Sequence, residues 1–447
     1  MGNNTTAAEY SVIVPPANGI LDEVVVPGDK SISHRAVILG SIAEGTTNVF
    51  NFLEGEDNLS TIGAFRSMGV EIEVEGHDQR SISKPGRVTI KGVGLHGLKE
   101  PGSVIDAGNS GTTARLLLGL LSAQNFSSVI TGDDSLRKRP MKRVVEPLKI
   151  MGASITGGGG GEYLPLDITG SPLKGISYAS PVASAQVKSA LLLAGLYGEG
   201  ETVVEEPGKS RDHTERMLKL FGADVRTEGT RTGISKATSL KGCNISVPGD
   251  ISSAAFLMAG ALVTQGSEII IKRVGVNPTR TGIIEVLRKM GATVELLHPD
   301  EISGEPVANI LVRSSPLTGV EVSGEELLRA IDEFPVICAL AAFAEGTTTI
   351  TGAAELRVKE SDRISAMAGA LSAVGVKVEE LPDGIKIKGM GGKVLGGTVE
   401  SRGDHRVAMA MSVVGLGSIE GVTIAGAGCV DVSFPGFFDL LGEVARR

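Results

Sequence analysis

A chain of 447 residues is long for one hydrophobic core, so its length predicts two domains. Its 43 Lys and Arg residues against 52 Asp and Glu residues give a formal net charge of −9, which argues against binding to nucleic acid or anionic membranes through bulk charge. Aromatic residues make up only 3% of the chain, which also disfavours recognition of nucleic acid by base stacking.

The cysteines, histidines and N-terminus indicate a simple soluble protein. Cys243, Cys338 and Cys429 are isolated and the six histidines lack metal-ligand spacing, so we expect no metal, no cofactor and no disulfide framework. The polar start, residues 1–6, lacks the basic and apolar regions of a signal peptide, and no apolar run reaches the roughly 18 residues that span a membrane. We therefore expect a cytoplasmic protein, or a matured form that has lost a targeting peptide.

An apolar stretch of helix length recurs six times along the chain. Ala, Leu, Val and Met occupy nearly every side of these stretches, which is typical of buried helices. They lie at 34–44, 111–125, 184–198, 252–265, 332–345 and 404–419. A β-rich run and then an amphipathic helix generally follow, and each amphipathic helix is predicted to end at an apolar residue plus Gly. These endings are Met68-Gly69, Met151-Gly152, Phe221-Gly222, Met290-Gly291, Val374-Gly375 and Leu441-Gly442.

The repeated features pair across two halves of the chain at a nearly constant offset. Met68 and Met290 lie 222 residues apart, and Val-Pro-Gly-Asp at 26–29 returns at 247–250. Coincidence among common Gly-ended helices is the alternative, but several independent features share the offset. We predict two α/β (α+β) domains of three units each. The predicted domains are 28–248 and 1–27 plus 249–447, with a hinge near 27–30 and 247–251.

Cations stand at the starts of buried helices, where they are electrostatically unfavourable. Lys30 and Arg35 open the first apolar stretch, and Arg406 opens the sixth. Helix N-termini carry unpaired N–H groups and partial positive charge, so cations there suggest that an anion completes the site. Ordinary capping explains Asp250 and Ser252 but not these cations. The pattern therefore favours an anion-binding site.

Two charged loops precede amphipathic helices. Residues 137–143 hold five cations in seven positions, and residues 357–363 mix both signs. Most charges in such runs are solvated, but Arg139 and Arg363 stand just before the predicted helices. Lys359 and Arg363 are four residues apart, which predicts that they share one helix face.

Six motifs in this order resemble the 5-enolpyruvylshikimate-3-phosphate synthase family. They are Gly28-Asp29-Lys30-Ser31-Ile32-Ser33-His34-Arg35, Gly108-Asn109-Ser110-Gly111-Thr112-Thr113, Arg139-Pro140-Met141, Ser184-Ala185-Gln186, Arg357-Val358-Lys359-Glu360-Ser361-Asp362-Arg363 and Asp404-His405-Arg406. The Ser-Ala-Gln motif and residues 211–215 are most similar to the bacterial second class. The resemblance implies a two-domain, inverted αβ barrel-like enolpyruvyl transferase fold with three βαβαββ units per domain. It also implies a monomer whose domains close on substrate.

The resemblance implies transfer of the enolpyruvyl group of phosphoenolpyruvate to the 5-hydroxyl of shikimate 3-phosphate, with release of phosphate, in aromatic amino acid biosynthesis. The residues implied to bind phosphoenolpyruvate are Lys30, Gly111, Arg139, Gln186, Arg363 and Arg406. Those implied to bind shikimate 3-phosphate are Lys30, Ser31, Arg35, Ser184, Ala185, Gln186, Arg211, Asp332 and Lys359.

The same resemblance implies three catalytic residues. Asp332 would take the 5-hydroxyl proton, Glu360 would manage the proton at the methylene carbon, and Lys30 would assist. Gly111 would lie where the herbicide glyphosate competes with phosphoenolpyruvate.

One feature departs from the family, and two alternatives remain open. Many members carry a lysine just before the C-terminal Phe-Pro, whereas residues 432–435 contain none, so one phosphate contact must come from elsewhere. UDP-N-acetylglucosamine enolpyruvyl transferase shares the fold and donor, but usually has a cysteine in the loop that here is residues 133–139, which contain none. A non-catalytic repeat scaffold would not need Asp332, Glu360 and the helix-start cations to converge.

Overall fold

The protein, described by a computed structural model over residues 10–75 and 86–446, is a mixed α/β protein. The helices are α1 Lys30–Ile42, α2 Glu56–Ser67, α3 Gly111–Leu121, α4 Lys142–Ile150, α5 Ala185–Gly195, α6 His213–Leu220, α7 Ile251–Val263, α8 Gly282–Lys289, α9 Gly324–Leu328, α10 Phe334–Phe343, α11 Arg363–Ala373, α12 His405–Gly417 and α13 Phe437–Val444. The strands are β1 Ser11–Val14, β2 Gly19–Val25, β3 Glu44–Phe52, β4 Glu71–Glu75, β5 Gly86–Val93, β6 Ile105–Asp106, β7 Ser127–Thr131, β8 Ser154–Gly158, β9 Tyr163–Thr169, β10 Ser177–Ala179, β11 Glu201–Glu205, β12 Val225–Glu228, β13 Arg231–Ser235, β14 Asn244–Ser246, β15 Glu268–Gly275, β16 Thr293–Ile302, β17 Glu305–Arg313, β18 Glu321–Val322, β19 Thr347–Ile350, β20 Lys377–Leu381, β21 Gly384–Lys388, β22 Gly397–Glu400, β23 Val422–Ala425 and β24 Ala445–Arg446.

The strands form six small sheets with one repeated pairing pattern. The strand orders are β14-β3-β5-β4, β6-β7-β9-β8, β10-β11-β13-β12, β16-β17-β15-β2-β24, β18-β19-β21-β20 and β1-β23-β22. In each sheet a parallel pair leads into antiparallel pairing; β6, for example, is parallel to β7, which is antiparallel to β9. The N-terminal strands β1 and β2 join sheets built otherwise from residues beyond 250. The repeated α/β unit predicted from the sequence is confirmed.

The predicted apolar helices are buried helices of the structure. They are α1, α3, α5, α7, α10 and α12. All ten residues of α10 are buried, and in α7 only the last residue is not. Because apolar residues dominate these helices, most of the surface of each helix can pack against apolar neighbours.

Glycine ends five of the amphipathic helices as predicted, but not the sixth. The five glycines, Gly69, Gly152, Gly222, Gly291 and Gly375, all have φ between 85° and 103°, which is the left-handed conformation of a helix C-terminus. The predicted ending at Leu441-Gly442 is wrong. Gly442 does not have a positive φ, so α13 continues through it to Val444.

The buried apolar side chains fall into two clusters. One consists of residues between 32 and 247, and the other of residues 14–26 and 251–444. We call the part of the protein around the first cluster, including the start of α1 at Lys30, lobe I, and the part around the second cluster lobe II. The chain crosses between them in two segments that lie side by side, because Asp29 N–H donates to the Pro248 carbonyl and Asp250 N–H donates to that of Pro27, both at 2.9 Å. Residues 1–9, which we assigned with the second domain, lie outside the described residues.

Candidate active site

A cleft of about 260 Å³ lies between the two lobes and contains every residue that the sequence assigned to catalysis or substrate binding. From lobe I come Lys30, Ser31, Arg35, Gly111, Arg139, Ser184, Ala185, Gln186 and Arg211. From lobe II come Asp332, Lys359, Glu360, Arg363 and Arg406. Among the described residues, ten Lys and Arg side chains but five Asp and Glu side chains line this cleft. A protein with a net negative charge thus concentrates cations at one place.

Several buried helices begin in this cleft. Asp29 caps α1 by accepting from Ile32 N–H at 2.9 Å, and Asp404 caps α12 by accepting from Arg406 N–H at 3.0 Å. The cations that follow these caps have carboxylate partners, since Lys30 pairs with Asp57 and Arg406 lies 4.0 Å from Asp332. The carboxylates offset the unfavourable placement of a cation at a helix N-terminus.

Arg35 is a buried cation without a carboxylate partner among the described residues. Its guanidinium donates to the Thr214 hydroxyl at 2.6 Å, the Ser189 hydroxyl at 2.8 Å and the Ser31 carbonyl at 2.9 Å. Burial and the neighbouring Arg211 lower the pKa of Arg35 to about 10. A buried charge held only by neutral acceptors is costly, so an anion at this end of the cleft would be favoured.

Asp332 is surrounded by arginines. Its carboxylate lies 2.8 Å from the nearest Arg211 nitrogen, 3.6 Å from Arg280 and 3.7 Å from Arg363. Burial by itself would favour the neutral acid, but Arg211, Arg406, Lys359 and Arg280 hold the pKa of Asp332 well below its usual value. The surrounding arginines therefore favour the ionised carboxylate, whose oxygens are hydrogen-bond acceptors in the cleft.

Glu360 lies at the junction of the lobes. It accepts from Arg363 at 2.6 Å within lobe II and lies 3.9 Å from Arg139 of lobe I. Burial opposes its charge, yet Arg363, His405 and Arg139 hold the pKa of Glu360 well below its usual value. Arg363 is fixed from its other side by Asp404, at 2.8 Å. A carboxylate and two arginines from different lobes thus share one end of the cleft.

The prediction that Lys359 and Arg363 share a helix face is wrong. Asp362 accepts from Ser365 N–H at 3.0 Å and caps α11, so the helix begins only at Arg363. Lys359 has extended backbone and pairs with Glu355 at 2.8 Å. Both cations nevertheless line the cleft.

Three cleft cations were missed by the sequence reasoning, namely Arg115, Arg143 and Arg280. Arg115 donates to Gln186 at 3.0 Å, and burial together with Arg139 lowers its pKa to about 10. Its position as a cation inside the otherwise apolar helix α3 could have indicated Arg115 as a site residue. Arg280 precedes an amphipathic helix, as Arg139 does in its own repeat unit. Comparing the equivalent positions of the two units would have predicted Arg280 as a cleft residue. The four residues 432–435 do not line the cleft.

Other kinds of site find little support in the described ranges 10–75 and 86–446. No group of three His, Cys, Asp or Glu residues there is arranged to hold a metal ion. No helix in those ranges is long and apolar enough to cross a membrane.

Six repeated α/β units around a cation-rich cleft with two ionised carboxylates define an enolpyruvyl transferase fold. The structure superposes on the enolpyruvyl transferase NikO from Streptomyces tendae with a TM-score of 0.76 at 15% identity, covering 98% of this chain and 97% of that one. At that identity the likeness shows the fold alone.

Closer similarity identifies the family. The family profile for EPSP synthase (3-phosphoshikimate 1-carboxyvinyltransferase) matches residues 15–441. The chain is 58% identical over 437 residues to 3-phosphoshikimate 1-carboxyvinyltransferase of Geobacter metallireducens, covering 98% of this chain and all of that one. EPSP synthase from Acinetobacter baumannii superposes with a TM-score of 0.85 at 50% identity, covering 97% of this chain and 98% of that one. The chain belongs to the EPSP synthase family.

Membership gives the reaction. The protein is a transferase that moves the enolpyruvyl group of phosphoenolpyruvate to shikimate 3-phosphate. The UDP-N-acetylglucosamine and scaffold alternatives are set aside by these similarities.

Proposed function

We propose that the cleft binds both substrates at once, with shikimate 3-phosphate toward Arg35 and Arg211 and phosphoenolpyruvate toward Arg139, Arg363 and Arg406. The observation that carries this proposal is the excess of cations in a single cleft, ten against five carboxylates. Two phosphates and two carboxylates arrive with the substrates and repel each other. A preorganised set of cations offsets that repulsion at no cost of reorganisation during the reaction.

We assign the remaining substrate contacts to residues at helix N-termini, to Lys359 and to Gly111. Lys30, with Ser31 beside it, would contact both substrates, and Lys359 would approach shikimate 3-phosphate from lobe II. Ser184, Ala185 and Gln186 begin α5 and offer N–H groups and side chains to either ligand. Gly111 leaves room for the donor.

Two carboxylates would divide the proton transfers. Asp332 would take the proton of the 5-hydroxyl as its oxygen attacks C2 of phosphoenolpyruvate. Glu360 is ionised in the free protein, so it would first take up a proton from water as the arriving substrate anions compete for its arginines. It would then deliver that proton to the C3 methylene. In the second step Asp332 would pass its proton to the departing phosphate, and Glu360 would take a proton back from the C3 methyl group, which restores the double bond. Glu360 would return that proton to water when the products leave. Both groups would work next to arginines, so charge that develops in the transition state is stabilised throughout.

We further propose that residues 28–248 and residues 1–27 plus 249–447 move as two domains about a hinge at 27–30 and 247–251. The two separate apolar cores and the paired crossing segments support this division. Closure would bring the half-sites together and exclude water. We also propose a monomer, as the family resemblance implies. Three free cysteines support a reducing, cytoplasmic location.

A phosphate-release assay tests the proposed function. The purified protein is incubated with phosphoenolpyruvate and either shikimate 3-phosphate or UDP-N-acetylglucosamine. We expect phosphate only with shikimate 3-phosphate. Release with UDP-N-acetylglucosamine alone, or with neither acceptor, would contradict the proposal.

Gly111→Ala is expected to weaken inhibition by glyphosate by about tenfold or more. A Cβ at position 111 would come within 2.7 Å of an Arg115 terminal nitrogen, and Arg115 holds Gln186. The added methyl group therefore displaces a cation and an amide that would face the donor site. The measurement is the competitive inhibition constant of glyphosate against phosphoenolpyruvate, and unchanged inhibition would count against placing the donor beside Gly111.

A further inference from the structure

Lys188 is a fully buried lysine outside the set assigned to the substrates. It lies in α5 with only 2% of its surface exposed, and it does not line the cleft. Its ammonium is 2.8 Å from Glu206 and 2.8 Å from Glu215. Burial opposes the charge, yet Glu215 and Glu206 raise the pKa of Lys188 above its usual value. We call these three side chains the Lys188 node.

Glu206 ties together two segments that carry proposed shikimate 3-phosphate ligands. One carboxylate oxygen accepts from the backbone N–H of Ser184 at 2.9 Å, and the other accepts from the Ser210 hydroxyl at 2.8 Å. Ser184 begins the Ser-Ala-Gln segment, and Ser210 directly precedes Arg211. A single buried carboxylate thus sets the distance between these two segments.

The other two members of the node have neighbours that hold Arg35. Thr214, next to Glu215, accepts from Arg35 Nε at 2.6 Å, and Ser189, next to Lys188, accepts from Arg35 Nη2 at 2.8 Å. The two hydroxyls are themselves 2.6 Å apart. Three segments that face the cleft from lobe I therefore meet behind it, at Lys188.

The net charge of the Lys188 node is negative, and the node lies behind the buried cation Arg35. Two carboxylates and one ammonium leave one negative charge close behind Arg35, which has no carboxylate of its own among the described residues. That surplus charge offsets the buried guanidinium from behind and leaves its cleft side available to a substrate anion.

We propose that Lys188 is a positioning residue for the shikimate 3-phosphate half of the site, acting through Glu206 on Ser184 and Arg211 and through Glu215 on Arg35. The inference rests on the proposed function, since it takes these three residues as acceptor-substrate ligands. Lys188 itself touches no substrate.

Lys188→Met tests the proposal, because methionine fills similar space without the charge. We expect the KM for shikimate 3-phosphate to rise about tenfold or more, since breaking a buried ion pair leaves carboxylates unpaired and frees the segments they hold. The KM for phosphoenolpyruvate should rise clearly less, because among its proposed ligands only Gln186 lies in a segment that the node holds. The value of kcat at saturation should change by no more than about twofold. The matched control is Lys149→Met, which removes an exposed lysine of the same lobe and should alter neither constant.

The possible results distinguish failure of the Lys188 proposal from failure of the proposed function. If the wild-type protein turns over shikimate 3-phosphate but Lys188→Met raises both KM values equally or neither, the positioning role is overturned. Failure of the wild-type protein in the same assay would instead overturn the proposed function. If Lys188→Met does not fold, Glu206→Gln, which keeps the shape of the side chain, is judged by the same selective rise in KM.

Discussion

Asp332→Asn is expected to lower kcat about 10²–10⁴-fold while leaving substrate binding intact. Asparagine has the size of aspartate and keeps an oxygen that can accept from Arg211, which lies 2.8 Å from the native carboxylate. It cannot accept the proton of the 5-hydroxyl. Removing one negative charge from a ring of arginines also leaves them free to hold the substrate anions, so affinity should be equal or tighter.

Steady-state kinetics with calorimetric binding of shikimate 3-phosphate check this result. The matched control is Asp250→Asn, because Asp250 is another buried carboxylate of the cleft but acts as the cap of α7. Asparagine is an equally good cap, so this variant should keep kcat within a few-fold. Full turnover by Asp332→Asn would contradict the role of Asp332 as the base that takes the 5-hydroxyl proton.

Glu360→Gln is expected to lower kcat by a similar factor, about 10²–10⁴, through the other proton transfer. Glutamine can still accept from Arg363, which donates to the native carboxylate at 2.6 Å, so the arginine should stay in place. It cannot deliver a proton to the methylene carbon or take one back. The loss should therefore appear in chemistry at C3 and not in the affinity for either substrate.

Deuterium incorporation distinguishes this role from a general loss of activity. In heavy water the wild-type protein should place deuterium at the methylene carbon during turnover, and Glu360→Gln should reduce the rate of that incorporation along with kcat. Asp362→Asn is the control, because Asp362 stands two residues away and caps α11 without lining the cleft. Undiminished incorporation in Glu360→Gln would assign this proton to another group.

The buried helices and the convergence of their starts could be predicted from sequence because both follow from local pattern. A stretch such as α10 has no polar side, so it can only lie inside the protein. When six such helices repeat, their polar N-terminal ends must lie where solvent or a ligand can reach them. The cations at those ends are therefore expected to share one cleft. Lys30 and Arg406, more than 370 positions apart, line one cleft for that reason.

Helix caps, single backbone conformations and contacts between distant segments could not be predicted from the periodicity of the sequence. Lys359 looked helical by spacing, but the cap that Asp362 places on α11 excludes it from the helix. Gly442 follows an apolar residue, as the five helix-ending glycines do, but it does not have their positive φ. The pairing of Lys188 with Glu206 and Glu215 joins residues on three segments, and no periodicity in the sequence indicates it.

A crystal structure of the protein with shikimate 3-phosphate and glyphosate would test most directly whether one cleft serves both substrates. We expect shikimate 3-phosphate within hydrogen-bond distance of Arg35 and Arg211, with its 5-hydroxyl beside Asp332. Glyphosate should lie among Arg139, Arg363 and Arg406. Either ligand bound outside the cleft, or a 5-hydroxyl remote from Asp332, would contradict the assignment of these residues.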